Sequence, residues 1–230
     1  STAAGATPLR VSAPPVGAPP PPLADGALQV DPVVHHADPL VETFDDAWTD
    51  EECEYVIALA EPFLHRSVTV TRDGRHVPHA DRTSSDASLL GVREDFASRW
   101  LQARMTDRLR VPLSHAEHLV VLRYRPGEEY RPHCDYLPPG ARGNLPDPAQ
   151  PGQRVHTVFC YLSEVEAGGA TDFPTLGVRV APRRGRIVHF ENLLPDGRGD
   201  PRTLHAGMPV EAGEKWLATL WTRARPCRPY

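Results

Sequence analysis

The stretch that decides the fold class is Leu204–Arg223, LHAGMPVEAGEKWLATLWTR, which ends in a run rich in aromatic and β-forming residues after a glycine turn. Similar runs of β-forming residues occur upstream in HLVVLRY (118–124), RVHTVFCYL (154–162) and VRVAPRRGRIVHF (178–190). Short strands separated by glycine and proline turns are typical of sandwiches and jelly rolls. The sequence therefore predicts a mainly β fold.

Helical support is predicted ahead of these strands. In TDEE, Thr49 precedes Glu52 by three residues, which is a capping box, and an apolar stripe at helical spacing follows it. Further on, SVTVTRDGRHVPH (67–79) alternates on both sides of Asp73-Gly74, which predicts a hairpin.

A second helix is predicted from about Val92 to Leu109, where large apolar residues recur about every four positions and Pro112 follows. These side chains are interpreted as core packing: Phe96, Trp100 or Leu101, Met105 and Leu109.

The domain organisation follows from a change in composition. Residues 1–30 carry seven prolines, including the run Pro19–Pro22, which predicts a tail or linker that buries little surface. Residues 31–230 are expected to form one domain, with helical support over about 45–112 and a β core over about 115–225. The tail also raises the hypothesis that its prolines occupy the protein's own binding groove.

Bulk composition excludes several classes of partner. The net charge of −5 gives no basic footprint for nucleic acid, and no apolar run approaches the roughly 20 residues of a membrane span. The four cysteines lack CxxC spacing and are expected to be free thiols. We expect a cytoplasmic protein, on a composition that fits a bacterium, and the oligomeric state stays open.

Metal-binding residue types meet in YRPHCDY (130–136). Side chains alternate along a strand, so His133 and Asp135 are predicted to share one face, with Cys134 on the other. One further histidine would complete the two-histidine, one-carboxylate set that binds non-haem Fe(II). His205 lies 70 residues beyond Asp135, far enough to come from another strand. H-x-D alone is weak evidence, because it also occurs on ordinary surfaces.

Lys215 follows His205 by ten residues, which permits a turn and a return on the adjacent strand. A lysine placed there would sit inside the barrel, several ångströms from the metal. That arrangement suits an anionic co-substrate such as 2-oxoglutarate, which chelates a metal at one end and carries a carboxylate at the other. The alternative interpretation is a strand-end lysine that reaches solvent.

Several segments, taken in order, resemble the catalytic domain of prolyl 4-hydroxylases: RTSS (82–85), VLRYRPGEEYRPHCDY (121–136), GQRVHTVFCYLSEVEAGGATDFP (152–174) and the stretch that begins at Asn192. The resemblance covers roughly residues 40–225. It implies an Fe(II)- and 2-oxoglutarate-dependent dioxygenase with a mainly β fold and flanking helices. That fold is a double-stranded β-helix, or jelly roll, with N-terminal helical support.

The resemblance also implies roles for individual residues. The implied iron ligands are His133, Asp135 and His205. The implied 2-oxoglutarate contacts are Lys215, Tyr124 and Thr171. The implied lining of the peptide groove is Arg154, Tyr130 and Trp221, for the last two of which core packing is the alternative. Ala170, Cys134 and Arg223 depart from residues common in the family, which leaves the substrate in doubt.

The function expected from the resemblance is hydroxylation of peptidyl proline, coupled to conversion of 2-oxoglutarate and O2 to succinate and CO2, with ascorbate as reductant. One alternative keeps this chemistry on a free amino acid or natural-product precursor. Another is a cupin-like metal-binding module without catalysis, which would not bind 2-oxoglutarate. A carboxylate at Asp135 favours hydroxylation, because related halogenases leave that ligand position empty for halide.

Overall fold

The computed structural model describes residues 31–70, 76–78, 81–138 and 149–228. The proline-rich tail and the Asp73-Gly74 turn lie outside these residues, as does most of the long loop before Arg154. The first half of the described chain contains the following elements: β1 (Val33–Ala37), β2 (Leu40–Phe44), α1 (Asp50–Ala60), β3 (His65–Arg66), β4 (Val68–Val70), β5 (His76–Pro78), β6 (Ser85–Ser88), α2 (Phe96–Arg108), β7 (Val120–Tyr124) and β8 (Tyr130–His133).

In the second half of the described chain the regular elements are eight strands and one short 3₁₀ helix. Its strands are β9 (Arg154–Tyr161), β10 (Ala167–Gly168), β11 (Thr171–Phe173), β12 (Val178–Val180), β13 (Ile187–Glu191), β14 (His205–Gly207), β15 (Val210–Ala212) and β16 (Lys215–Arg223). All four segments predicted to be β-rich contain strands, so the expected strand texture is confirmed.

Two antiparallel sheets form the framework. The larger has eight strands in the order β1-β2-β13-β9-β16-β7-β6-β3, and the smaller has four in the order β12-β11-β14-β8. An apolar cluster that includes Val41, Phe159, Phe173 and Phe190 fills the space between them. Two sheets enclosing one core confirm the predicted double-stranded β-helix.

The helices cover the outer face of the larger sheet. The capping box is confirmed: Thr49 Oγ1 accepts from the Glu52 amide at 3.2 Å, and Glu52 Oε2 accepts from the Thr49 amide at 3.0 Å. Cys53 and Val56 of α1 join the core beneath the helices, and Arg104 of α2 forms a buried ion pair with Glu52. The predicted helical support is therefore present.

The second helix differs from its prediction at its N-terminus. It begins at Phe96 because Asp95 accepts a hydrogen bond from the Ser98 amide at 2.8 Å and caps the helix there. Leu101 and Met105 are buried as expected, but Phe96 is 73% exposed and Trp100 38% exposed. The core assignment of these two aromatic residues was therefore wrong, because both lie on the outer side of the helix.

The hairpin predicted over 67–79 is confirmed by its strands. Val68 pairs with Pro78 and Val70 with His76 in an antiparallel ladder. Neither helix of the described residues has the length and apolar content that a membrane crossing requires.

Candidate metal centre and co-substrate pocket

Three metal-binding side chains converge between the two sheets. His133, the last residue of β8, is the register partner of His205, the first residue of β14. Asp135 joins them, and one ligand atom from each residue lies within 4.8 Å of the others. The Asp135 Oδ1 atom is 3.6 Å from His133 Nε2, and Oδ2 is 3.8 Å from His205 Nε2. The predicted grouping of these residues is therefore observed.

The way Asp135 reaches the group differs from the prediction. The strand β8 ends at His133, so Asp135 extends from the turn that follows it. Cys134, between them, is half-buried and is absent from the group of candidate ligands. Strand alternation therefore does not place Asp135, although the expected separation of Cys134 from the metal-binding atoms is present.

Backbone carbonyls orient both histidines toward the carboxylate. His133 Nδ1 lies 2.9 Å from the Arg131 carbonyl oxygen, and His205 Nδ1 lies 3.0 Å from that of Thr203. A carbonyl only accepts, so each Nδ1 carries the proton and each Nε2 presents a lone pair. Burial, followed by the neighbouring His205, lowers the pKa of His133 to about 4, so this imidazole is neutral at pH 7.

The carboxylate supplies the one negative charge of the group. Burial by itself raises the pKa of Asp135. The neighbouring His205, His133 and Arg154 side chains have the larger, opposite effect, and the resulting pKa is about 2. Two imidazole nitrogens and one carboxylate on one side of a cavity match the donor set that binds non-haem Fe(II) with open positions. These residues therefore fit an iron ion.

Lys215 lies at the other end of the same cavity. It is 0% exposed, its Nζ donates to the Gly169 carbonyl oxygen at 2.9 Å, and Nζ is 4.6 Å from the centre of the Tyr124 ring. Among the described residues it has no carboxylate partner. Burial lowers its pKa to about 7. The alternative of a lysine reaching solvent is therefore wrong, and the ammonium group is available to an anionic ligand.

One pocket connects the two ends. Its wall combines apolar side chains with a few polar groups, as is usual for a small-molecule site. The predicted residues that line it are His133, Asp135, His205, Lys215, Tyr124, Thr171, Tyr130 and Trp221. Gly207, opposite Thr171 in the sheet, also lines it, and a Cβ there would lie 3.3 Å from Lys215 Nζ. A glycine at this position keeps the space beside the lysine amine free of a side chain.

The polar contacts inside the pocket are short. Thr171 Oγ1 lies 2.8 Å from the Tyr161 hydroxyl, and both side chains are buried. The Tyr130 ring stacks on His133, with ring centroids 3.5 Å apart. These contacts leave Thr171 and Tyr130 little freedom to rotate, so the pocket is largely preformed.

Arg154 is the one predicted site residue that does not line this pocket. Its guanidinium forms two 2.7 Å hydrogen bonds to the Glu117 carboxylate and lies 4.0 Å from the Trp221 ring centroid. Arg223 donates to the same carboxylate at 2.8 Å. Arg154 therefore packs on Trp221, which lines the pocket, without lining the pocket itself.

Sequence reasoning gave no role to several residues that line the pocket, and Arg82 and Thr157 are two of them. Arg82 belongs to RTSS, which the resemblance included without a role, and its guanidinium carbon is 5.4 Å from the Tyr130 ring centroid. Thr157 carried no signal in the sequence, since a threonine in a strand is ordinary.

Outside this site, β13 carries a further buried histidine, His189. Its Nδ1 lies 2.9 Å from Glu42 Oε1, and its Nε2 lies 3.2 Å from His156 Nδ1. It is absent from the described group of candidate metal ligands. Both ring nitrogens have protein partners, so His189 is a satisfied buried histidine.

Comparison with known proteins identifies relatives of this site. The family model described as the 2OG-Fe(II) oxygenase superfamily matches residues 119–223. The chain is 34% identical over 206 residues to probable prolyl 4-hydroxylase 10 of Arabidopsis thaliana, across 81% of this chain and 69% of that protein. It is 38% identical over 191 residues to prolyl 4-hydroxylase subunit alpha-1 of Gallus gallus, across 81% of this chain and 36% of that subunit. The chain thus spans only about a third of the alpha-1 subunit.

A solved structure supports the same relationship. The viral collagen prolyl hydroxylase of Paramecium Bursaria Chlorella virus-1, in its 2-oxoglutarate complex, aligns with a TM-score of 0.60 at 29% identity, covering 80% of this chain and 96% of that one. Fe(II), 2-oxoglutarate and dioxygen are the cofactor and co-substrates of such enzymes, and ascorbate is a usual addition. The chain belongs to the prolyl 4-hydroxylase family of 2-oxoglutarate- and Fe(II)-dependent oxygenases.

Proposed function

We propose that this chain hydroxylates proline residues in peptides, with conversion of 2-oxoglutarate and O2 to succinate and CO2. One observation carries the proposal: a buried lysine, which has no carboxylate partner within the described part of the chain, shares a pocket with a histidine–aspartate–histidine group. A buried ammonium costs free energy unless it is paired. 2-Oxoglutarate supplies the missing carboxylate and a chelating end for the metal.

The proposed roles divide the pocket into two ends. His133, Asp135 and His205 hold the iron, which supplies the oxidising chemistry for an unactivated C–H bond. Lys215 pairs with the far carboxylate of 2-oxoglutarate. Tyr124 and Thr171 line the apolar channel between the two ends and orient that carboxylate through their hydroxyl groups.

Aromatic and cationic side chains form the proposed peptide side of the site. Tyr130 and Trp221 line the pocket near the histidines, and Arg82 lies beside Tyr130. Arg154 holds the Trp221 ring in place from behind. Aromatic faces suit the apolar ring of a proline, and a polyproline II segment leaves its carbonyls free to accept hydrogen bonds from a side chain such as Arg82. Residues 31–230 are proposed to act as a single catalytic domain, with residues 1–30 as an appended tail.

The test is an anaerobically loaded enzyme mixed with a proline-peptide library, 2-oxoglutarate, ascorbate and air. The expected result is a mass increase of about one oxygen atom on a peptide proline, with one succinate formed per hydroxylation. Hydroxylation of free amino acids alone would instead support the small-molecule alternative. Absence of 2-oxoglutarate binding would support a metal-binding module without catalysis.

A further inference from the structure

Two buried polar side chains hold the Asp135 carboxylate from behind. Thr157 Oγ1 donates a hydrogen bond to Asp135 Oδ2 at 2.8 Å, and Asn192 Nδ2 donates to Thr157 Oγ1 at 2.9 Å. Thr157 is 1% exposed and Asn192 0% exposed. A continuous chain of hydrogen bonds therefore runs from the interior of the larger sheet to one oxygen of the carboxylate.

The charge on Asp135 fixes the direction of this chain. An ionised carboxylate only accepts hydrogen bonds, so the single Thr157 hydroxyl proton points to Oδ2. The Thr157 oxygen must then accept from Asn192, which sets the orientation of that amide. The other amide atom, Asn192 Oδ1, is buried and has no hydrogen-bond partner among the described residues. Such an orphan acceptor costs free energy, so the arrangement favours the site at the expense of the fold.

The strands hold both side chains in place. Thr157 in β9 pairs with Phe190 in β13, and Asn192 follows β13 directly. The Asn192 amide donates to the Val155 carbonyl at 2.9 Å, which ties its backbone to β9. Groups on paired strands are positioned more accurately than groups on loops. This matters here because Asp135 itself lies in a turn.

We propose that Thr157 and Asn192 are positioning residues that hold the Asp135 carboxylate in one orientation, with Oδ1 presented to the iron. The inference rests on the proposed function, since it takes the three side chains as Fe(II) ligands. Oδ1 and Oδ2 are similarly close to a histidine Nε2, at 3.6 and 3.8 Å, so distance does not distinguish them. The hydrogen bond that Thr157 donates to Oδ2 distinguishes the two oxygens.

The test measures metal affinity without turnover. Thr157→Val removes the hydroxyl and keeps the shape, and we expect anaerobic Fe(II) affinity, measured by competition with a chelating dye, to fall about 10–100-fold. Thr157→Ser keeps the hydroxyl and should restore most of that affinity. Asn192→Leu frees the hydroxyl to rotate, and we expect a loss of about 2–10-fold, the effect of one hydrogen bond. The Co(II) absorption spectrum of each variant reports the ligand geometry independently.

A matched control is available on the neighbouring strand. Thr222 is also a fully buried threonine, its Oγ1 has no partner among the described residues, and it pairs with His156 rather than with a pocket residue. Thr222→Val should bind Fe(II) as the wild type does, and the unfolding midpoint of each metal-free variant reports its folding.

Unchanged affinity in Thr157→Val, or a serine variant as weak as the valine variant, would overturn the inference. If Thr157→Val does not fold, Asn192→Leu decides in its place, and unchanged affinity there overturns the inference. A wild type that binds no Fe(II) would overturn the proposed function and this inference with it. Wild-type binding with no effect of the variants would overturn this inference alone.

Discussion

Buried cationic side chains on the two faces of the larger sheet differ in their partners. On the helix side, Arg104 forms an ion pair with Glu52 and donates to the Ala47 carbonyl. On the pocket side, Lys215 has only the Gly169 carbonyl and the Tyr124 ring among the described residues. Since an unpaired buried charge costs free energy, the comparison teaches that Arg104 serves the fold, whereas Lys215 retains the charge that the proposed function assigns to a ligand.

The largest expected effect is on the helix side. Arg104→Met should lower the free energy of unfolding by about 3–5 kcal/mol, because Glu52 is then left buried without its partner. The measurement is urea unfolding of the metal-free protein. The 2-oxoglutarate affinity of the folded, iron-loaded variant should stay at the wild-type value.

The control for Arg104→Met is the double variant with Glu52→Gln. Glutamine removes the orphaned charge and can still accept from the Thr49 amide, so part of the lost stability should return. If the free energy of unfolding of Arg104→Met lies within about 1 kcal/mol of the wild-type value, this ion pair does not support the fold.

The next effect is on the pocket side. Lys215→Met should weaken 2-oxoglutarate binding by about 2–5 kcal/mol, roughly 30-fold to more than 1,000-fold, since one partner of a buried charge pair is lost. The stability of the ligand-free protein should stay equal or rise, because an unpaired ammonium is replaced by an apolar chain of similar length. Anaerobic calorimetric titration of the iron-loaded protein measures the affinity. If Lys215→Met lost much stability and bound 2-oxoglutarate as tightly as the wild type, Lys215 would serve the fold rather than the ligand.

Acidification should lower the stability of the fold through a histidine on the helix side of the larger sheet. Burial, followed by the neighbouring His189, lowers the pKa of His156 to about 4. This value lies below that of the unfolded chain, about 6.5, so the unfolded state binds the proton first and stability is lost as pH falls from 6.5 to 4. We expect His156 to account for about 2 kcal/mol of that loss.

The measurement compares urea unfolding of the wild type and His156→Gln at neutral pH and at pH 4.5. The glutamine variant should lose less stability on acidification. Equal losses in the two proteins would exclude His156 as a source of acid sensitivity.

The smallest expected effect is a pH dependence on the pocket side. The pKa of Lys215 is lowered to about 7 by burial, and a ligand carboxylate binds the protonated form. Affinity for 2-oxoglutarate should therefore fall as pH rises through 7, by about tenfold between pH 6 and pH 8, with uptake of about one proton at the higher pH.

Titration in buffers of different ionisation enthalpy measures this proton uptake. Lys215→Met should bind 2-oxoglutarate weakly and without this pH dependence. The same pKa makes the ligand-free protein more stable as pH rises above 7, because the unfolded lysine stays protonated to about 10.4. A wild type whose affinity stays constant from pH 6 to pH 8 would contradict a titrating Lys215.

The sequence was most informative where local pattern and chemistry coincide. The Thr49–Glu52 cap, the β-rich segments and the His133, Asp135 and His205 set were all predicted from short motifs. The strands β1 and β2 were not predicted, because VVHHA and LVETF are short and β13, the strand that joins β2 to the sheet, is remote in sequence. Tertiary pairing, rather than local propensity, makes them strands.

The supporting contacts of the site were also beyond sequence reasoning. Arg154 and Glu117 are separated by 37 positions, and Asn192 and Thr157 by 35. Each residue type is unremarkable alone, and only sheet register brings the partners together. The start of α2 was missed for a local reason: Asp95 caps the helix although the apolar pattern begins earlier.

The buried ammonium has a practical consequence for labelling chemistry, since Lys215 is the only lysine in the 230-residue sequence. An amine with a pKa of about 7 is substantially unprotonated at neutral pH and is therefore nucleophilic. Reductive methylation with isotopically labelled formaldehyde would mark one side chain besides the chain terminus. The resulting methyl resonance would give a single spectroscopic reporter at the floor of the pocket, and a bound dicarboxylate would shield the amine from the reagent.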